Sequence, residues 1–227
     1  MTTASLVGST GLVGSHILST LSALPNVATI HAFARRELKA DAKLKPVISS
    51  DTTTWASQYS ADSQIFFSAL GTTRANAGGV EAQRKLDYDF ALELARAAKA
   101  AGTKAYVVIS SARASSTSPF AYPKMKGELE EAVKALDFDH TVILRPGLIV
   151  GERAQTRMFE GGMRKLAWAM GSVGGNRLKD FWAQDVDVIA KAAVKAGLDC
   201  LEGKQAAKVV ILDQADIVRL GRTEWRE

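Results

Sequence analysis

Tyr122 and Lys126 stand four residues apart in Tyr122-Pro123-Lys124-Met125-Lys126, at the start of a stretch with helical spacing. Residues at i and i+4 lie one turn apart on the same helix face, so a phenol and an ammonium can share one site there. Pro123 suits a first helical turn, where its missing N–H is not needed. A phenol with an ordinary pKa of about 10 is a poor acid–base at neutral pH, and a fixed ammonium beside it should favour the phenolate and lower that value. Ser110 and Ser111 end the preceding apolar run, at the carboxyl edge where open α/β sheets place ligands. A hydroxyl there could polarise a substrate carbonyl while Tyr122 hands it a proton. Ser111, eleven residues before Tyr122, is preferred to Ser110. A lone YxxxK is usually a surface Tyr and Lys; all three groups in this order at one sheet edge are harder to attribute to chance.

A second constellation lies near the start of the chain. Gly8-Ser9-Thr10-Gly11-Leu12-Val13-Gly14 is a GxxGxxG, directly after the apolar run 4–7 and before helical spacing carried by Leu12, Ile17, Leu18 and Leu21. A strand-to-helix turn of this kind brings backbone close to a diphosphate and aims free N–H groups and the positive end of the helix dipole at it. Gly8 and Gly11 would serve the turn and the close approach, and Gly14 the packing of helix on strand. Ser9 and Thr10 can add hydroxyl donors. Glycines in such a turn can also serve packing alone; their place after a first strand is what favours a nucleotide.

An NAD site usually carries an acidic residue at the end of the second strand, roughly 20 residues beyond the glycines. Here that end reads His31-Ala32-Phe33-Ala34-Arg35-Arg36. A guanidinium grips a 2′-phosphate through paired charge-assisted hydrogen bonds. Arg35 and Arg36 therefore predict NADP (as NADPH) rather than NAD, against the plainer reading of surface arginines after a strand.

Groups so far apart in sequence meet only on a sheet that orders them. Apolar runs at 4–7, 27–34, 46–49, 64–70, 106–110, 141–144 and 209–212 predict strands. Helical spacing predicts helices over 12–24, 80–101, 122–136, about 185–198 and a short one near 216–220. Continuous apolar strands alternating with amphipathic helices require a sheet covered on both faces. The expected fold class is α/β: a single doubly wound Rossmann-type domain over residues 1–227, with a mainly parallel sheet and helices on both faces.

Composition narrows the function. With 227 residues, 47% hydrophobic and 23% charged, the chain can bury a core, which excludes disordered and low-complexity classes. One cysteine, Cys200, excludes an internal disulfide framework. His16, His31 and His140 lie far apart, so no metal is expected. The net charge of +5 comes from basic residues mixed with acidic ones, without a basic stripe interleaved with aromatics, so no nucleic-acid partner is expected. No run approaches the roughly 20 apolar residues of a spanning helix. The first strand also begins too near Met1 for a cleaved signal, so a cytoplasmic protein is expected.

Longer matching stretches carry a resemblance. They are GSTGLVGSHIL at 8–18, SALGTTRANAGG at 68–79, KLDYDFALELARAAKAAG at 85–102, then VISS, YPKMKGELE and ILRPGLIVGER. Across nearly its whole length the chain resembles the short-chain dehydrogenase/reductase superfamily. More narrowly, it is similar to the atypical group of the human Tat-interacting oxidoreductase and its fungal mitochondrial outer-membrane relatives. The resemblance implies a Ser–Tyr–Lys site of Ser111, Tyr122 and Lys126 beside NADPH. It implies Gly8, Ser9, Thr10, Gly11, Leu12 and Val13 along the diphosphate, and Arg35 and Arg36 at the 2′-phosphate. Leu70, Gly71 and Thr72 would border the ribose and nicotinamide side, with Pro146 and Gly147 under the nicotinamide. Asp51 stands where relatives often contact adenine, and could equally be a solvated turn residue. The asparagine that many superfamily enzymes carry on the long helix is missing; Leu86-Asp87-Tyr88-Asp89 occupy its surroundings.

The resemblance further implies a small substrate-side region within about 151–183, where Met158, Phe159, Met163 and Trp168 could line a pocket or simply form core. It also implies peripheral association with the mitochondrial outer membrane and homodimer pairing through the two long helices. Two functional readings follow. One is NADPH-dependent reduction of a carbonyl on a small, apolar substrate. The other is a regulatory or partner-binding protein that uses the dinucleotide as a ligand with little turnover.

Overall fold

The computed structural model describes residues 1–151, 180 and 182–226. The chain begins with β1 (Thr2–Val7), α1 (Leu12–Ala23), β2 (Val27–Ala34) and β3 (Leu44–Ile48), and reaches β4 (Ile65–Ser68) after a short 3₁₀ turn at Thr52–Thr54. A one-turn helix α2 (Arg74–Ala77) precedes a long helical segment built from α3 (Val80–Arg84), a π-turn (Lys85–Phe90) and α4 (Ala91–Ala100). Then follow β5 (Ala105–Ile109), α5 (Ala121–Ala135), β6 (His140–Leu144) and β7 (Leu148–Val150). The last elements are β8 (Ala183–Asp185), α6 (Val186–Leu201), β9 (Val209–Leu212) and α7 (Gln214–Val218), with a closing π-turn at Arg219–Thr223.

Seven strands form one sheet in the order β3-β2-β1-β4-β5-β6-β9, every pair parallel. The doubly wound α/β expectation holds. Strand side chains alternate between two cores. Leu6, Phe67, Val107 and Ile109 face α1 and α6, whereas Val7, Phe66, Tyr106 and Val108 face α4 and α5. Phe66 and Phe67 are both fully buried, and removing either ring should cost about 3–5 kcal/mol.

The chain reverses its direction of growth across the sheet between β1 and β4, whose ends are joined where the Ala69 N–H donates to the Val7 carbonyl at 3.0 Å. Ligands of open α/β sheets bind at the crevice that such a switch opens beyond the strand ends. Between β4 and α3 the chain forms α2, and β7 and β8 form a small parallel pair apart from the main sheet; neither element is among those the sequence predicts.

Candidate active site

The glycine turn has the shape its sequence implies. Gly8 has φ of +84°, and a Cβ there would sit 2.5 Å from the Ala69 carbonyl oxygen. A Cβ on Gly14 would sit 2.0 Å from the Gly8 carbonyl oxygen. Only glycine lets β1, the turn and α1 come this close. The Gly11 N–H donates to the Gly8 carbonyl at 2.8 Å, and Gly11 caps α1 without any side-chain hydrogen bond. The first N–H groups of α1 are therefore free of side-chain caps, as an anion site at a helix start requires. Ser9 is turned inward, buried, with its hydroxyl donating to the Phe33 carbonyl at 3.1 Å; it ties the turn to β2. Thr10 is exposed.

A cleft of about 520 Å³ opens at the switch point. Gly11, Leu12 and Val13 form one side, Leu70, Gly71 and Thr72 the next, and Ser111, Tyr122 and Lys126 a third, with Pro146 and Gly147 completing the lining. Eleven of the residues singled out in the sequence thus share one cavity. Gly8, Ser9, Thr10, Arg35, Arg36 and Asp51 are not in its lining. Asp51 is exposed and accepts hydrogen bonds from the Thr53 N–H at 3.0 Å and hydroxyl at 2.6 Å, which hold its carboxyl below the ordinary range. Met158, Phe159, Met163 and Trp168 lie outside the described residues.

Ser110 and Ser111 divide their tasks. The Ser110 hydroxyl is buried and donates to Glu130, one of the most enclosed carboxylates described, itself gripped by Arg145. No described residue hydrogen-bonds the Ser111 hydroxyl, which borders the cleft. Tyr122, Lys126 and Glu130 recur at steps of four along α5, so one helix face carries the phenol, the ammonium and the carboxylate.

Lys126 is 2% exposed, and its Nζ donates to the Ile109 carbonyl at 3.2 Å. Burial pulls this ammonium below the usual lysine range, while the Asp87 and Glu130 carboxylates push it back up. The expected lowering of the Tyr122 phenol is not found. Desolvation, followed by the Asp87 charge, raises it to about 12. The ring keeps 40% of its surface open, which tempers the desolvation part.

Sequence reading missed three groups: Gln83, Asp87 and the Glu130–Arg145 pair. Asp87 is fully buried on the π-turn and accepts the Thr72 N–H on both oxygens, at 2.9 and 3.1 Å. Gln83 Nε2 donates to the Thr72 carbonyl at 2.9 Å. Leu86-Asp87-Tyr88-Asp89 was noted only for a missing asparagine. A polar residue at i and i+4 on the core side of an amphipathic helix was the signal available. Among the described residues no cluster fit to hold a metal ion is found, and no helix is long and apolar enough to cross a membrane.

Residues 48–167 match the HIM1 family. The protein fmp52-1, mitochondrial, of Aspergillus terreus is 51% identical over 98% of this chain and all of its own length. Fmp52 of Aspergillus clavatus is 52% identical over 97% of this chain and 99% of its own. This chain belongs to the fmp52 family of fungal mitochondrial proteins.

The fold of this fmp52-family chain is shared, at low identity, with solved structures that hold a nicotinamide dinucleotide. MoeE5, solved with UDP-glucuronic acid and NAD, aligns with a TM-score of 0.69 at 16% identity, over 92% of this chain and 75% of its own. UDP-glucuronic acid 4-epimerase of Bacillus cereus, solved with NAD, aligns with a TM-score of 0.69 at 14% identity, over 93% and 77%. A Burkholderia cenocepacia short chain dehydrogenase solved with NADP aligns less well, with a TM-score of 0.63 at 16% identity, over 93% and 87%.

The expectation of NADP is corrected. The better-aligned of these neighbours hold NAD. Arg35 and Arg36 project exposed from the end of β2, and no described residue fixes either guanidinium. Selective grip on a 2′-phosphate needs a fork held in place, not merely two nearby cations.

Proposed function

We propose that this protein is an NAD-dependent oxidoreductase that exchanges a hydride with the carbonyl or alcohol group of a small molecule. The observation that carries this reading is the meeting, in one cleft, of a glycine-lined helix N-terminus with Ser111, Tyr122 and Lys126. The cradle fits a dinucleotide: the glycine turn lets backbone come close to a diphosphate, and the start of α1, free of a side-chain cap, suits its charge.

NAD, when bound, supplies or takes up the hydride. Gly11, Leu12 and Val13 hold the diphosphate through backbone N–H groups, and Leu70 to Thr72 and Pro146–Gly147 wall in the remainder. The Ser111 hydroxyl donates to the substrate oxygen and fixes its position. Tyr122 passes a proton to that oxygen in reduction and receives one in oxidation. Lys126, one turn further along α5, offsets the phenolate charge that reduction leaves on Tyr122 and that oxidation starts from. Arg35 and Arg36 sit at the adenosine end as cations without a selective partner.

The substrate class to try first is a sugar nucleotide, because MoeE5 was solved with UDP-glucuronic acid and the Bacillus cereus protein is named as a UDP-glucuronic acid 4-epimerase. The region 151–183, flanked by β7 and β8, is our candidate for the substrate side. We further infer a mitochondrial location from kinship, with peripheral attachment and pairing through α3–α5 as parts of the same proposal.

Titration with NAD and NADH, followed by quenching of the four tryptophans, tests cofactor binding. A turnover screen with Tyr122→Phe tests the chemistry. The expected result is saturable binding retained by the variant, with turnover reduced by about 10²–10⁴-fold. Unchanged turnover would sink the role of Tyr122. Binding without turnover of any substrate would favour the regulatory reading.

A further inference from the structure

We propose that Asp87 is a positioning residue of this site: its carboxylate holds the Thr72 peptide in place as a wall of the cleft and supplies the negative charge that faces buried Lys126. The inference rests on the NAD-dependent reading above. Asp87 is fully buried, and among the described residues its two oxygens share the Thr72 N–H, with the Gln83 side-chain amide beside them. Gln83, one turn earlier, donates to the carbonyl of the same residue, so the two side chains clamp Thr72 from both polar ends. Space is open around Gly71, where a Cβ would meet nothing within 4 Å, and Thr72 and Thr73 both line the cleft. The π-turn that carries Asp87 is a rare element that recurs at functional sites.

A buried carboxylate costs several kcal/mol unless other groups compensate it. The Thr72 and Gln83 amides are partial compensation, and the charge that adds to them comes from α5. Among the described residues, the charged and titratable groups that face Asp87 are Lys126 and Tyr122, both from that helix. Glu130, the other carboxylate acting on Lys126, already takes two hydrogen bonds from Arg145 at the end of β6 and one from Ser110. Its charge is largely matched by the guanidinium. Asp87 is then the carboxylate whose charge is available to Lys126, and it works through Lys126 and Thr72 rather than on substrate.

The test reads NAD binding by tryptophan quenching across neutral to alkaline pH for the full chain and for Asp87→Asn, Asp87→Ala and Gln83→Ala. Asn keeps one oxygen to accept the Thr72 N–H but carries no charge. Lys126 lines the cleft that NAD would fill, so its ammonium contributes to binding. Asp87→Asn should bind within about threefold of the parent at neutral pH, while its alkaline loss of binding begins at lower pH, because Lys126 gives up its proton sooner. Asp87→Ala loses acceptor and charge, and its binding should weaken about tenfold or more at every pH. Gln83→Ala should weaken binding without moving the alkaline limb. Parent-like affinity and an unmoved limb in the Asp87 variants would overturn the proposal; Asp87→Asn alone decides it should Asp87→Ala fail to fold. A parent chain that does not bind NAD would instead overturn the NAD reading, and this inference with it.

Discussion

Arg145 grips Glu130 with two hydrogen bonds, Nε to Oε1 at 3.1 Å and Nη2 to Oε2 at 2.5 Å. The pair ties the end of β6 to the middle of α5, and Ser110 adds the end of β5 through the same carboxylate. Three elements that converge on the cleft are thereby fixed relative to one another. Because Pro146 and Gly147 follow Arg145 directly, the ion pair also sets where that wall of the cleft lies.

Breaking this pair from one side should be costly. Arg145→Met leaves a carboxylate that is 2% exposed with the Ser110 hydroxyl as its remaining hydrogen-bond donor among the described residues, and only the Lys126 charge to offset it. Loss of one partner of a buried pair costs about 3–5 kcal/mol, and the 30% exposure of Arg145 puts the expected value at the lower end. The double variant Glu130→Met/Arg145→Met should recover most of that loss. Urea unfolding of the two single variants and the double measures the coupling; additive effects would contradict it.

The two serines should separate stability from turnover. Ser110→Ala removes a buried donor to Glu130 and should lower stability by about 1–3 kcal/mol, with turnover changed little per folded molecule. Ser111→Ala should leave the melting temperature nearly unchanged and reduce turnover by about tenfold or more. Melting curves and initial rates on the same preparations check both. A reversed pattern would hand the substrate contact to Ser110.

The sheet and its helices were readable because parallel strands buried on both faces are continuous apolar runs, and β2 and β9 were expected with the bounds they have. The cleft was readable where chemistry and spacing coincide, as in Tyr122 and Lys126 one turn apart. What escaped reading depends on contacts distant in sequence. Asp87 meets Thr72 across fifteen residues and Ser110 meets Glu130 across twenty, and neither separation has a local period. Ser9 failed as a free phosphate donor for the same reason, since the Phe33 carbonyl that takes its hydroxyl lies on another strand. Arg35 misled by composition: a cation at the right strand end is necessary for 2′-phosphate selection but does not hold its own fork in place.

Crowding around the turn predicts a gradient among glycines. Gly14→Ala drives a Cβ to 2.0 Å from a backbone oxygen that no rotamer change can move, and should cost several kcal/mol or prevent folding. Gly8→Ala adds the penalty of positive φ to a 2.5 Å clash and should be similarly severe. Gly71→Ala meets open space and should melt within a few degrees of the parent. Thermal melts of the three variants check the order. Equal melting for Gly14→Ala and Gly71→Ala would mean that β1 and α1 are not packed this closely.

The raised Tyr122 phenol gives the two reaction directions different pH profiles. Pushed up to about 12, the phenol keeps its proton across the neutral to mildly alkaline range, so carbonyl reduction finds the acid form and should be nearly flat between about pH 7 and 9. Alcohol oxidation needs the phenolate. Below the pKa that fraction grows about tenfold per pH unit, and the oxidation rate at limiting substrate should rise with it across the same range. Removing the Asp87 charge lowers the phenol, so Asp87→Asn should move the oxidation curve to lower pH. Paired pH–rate profiles in both directions check this. An oxidation plateau already present near neutral pH would mean that Lys126 governs Tyr122 in the working enzyme more strongly than burial and Asp87 together.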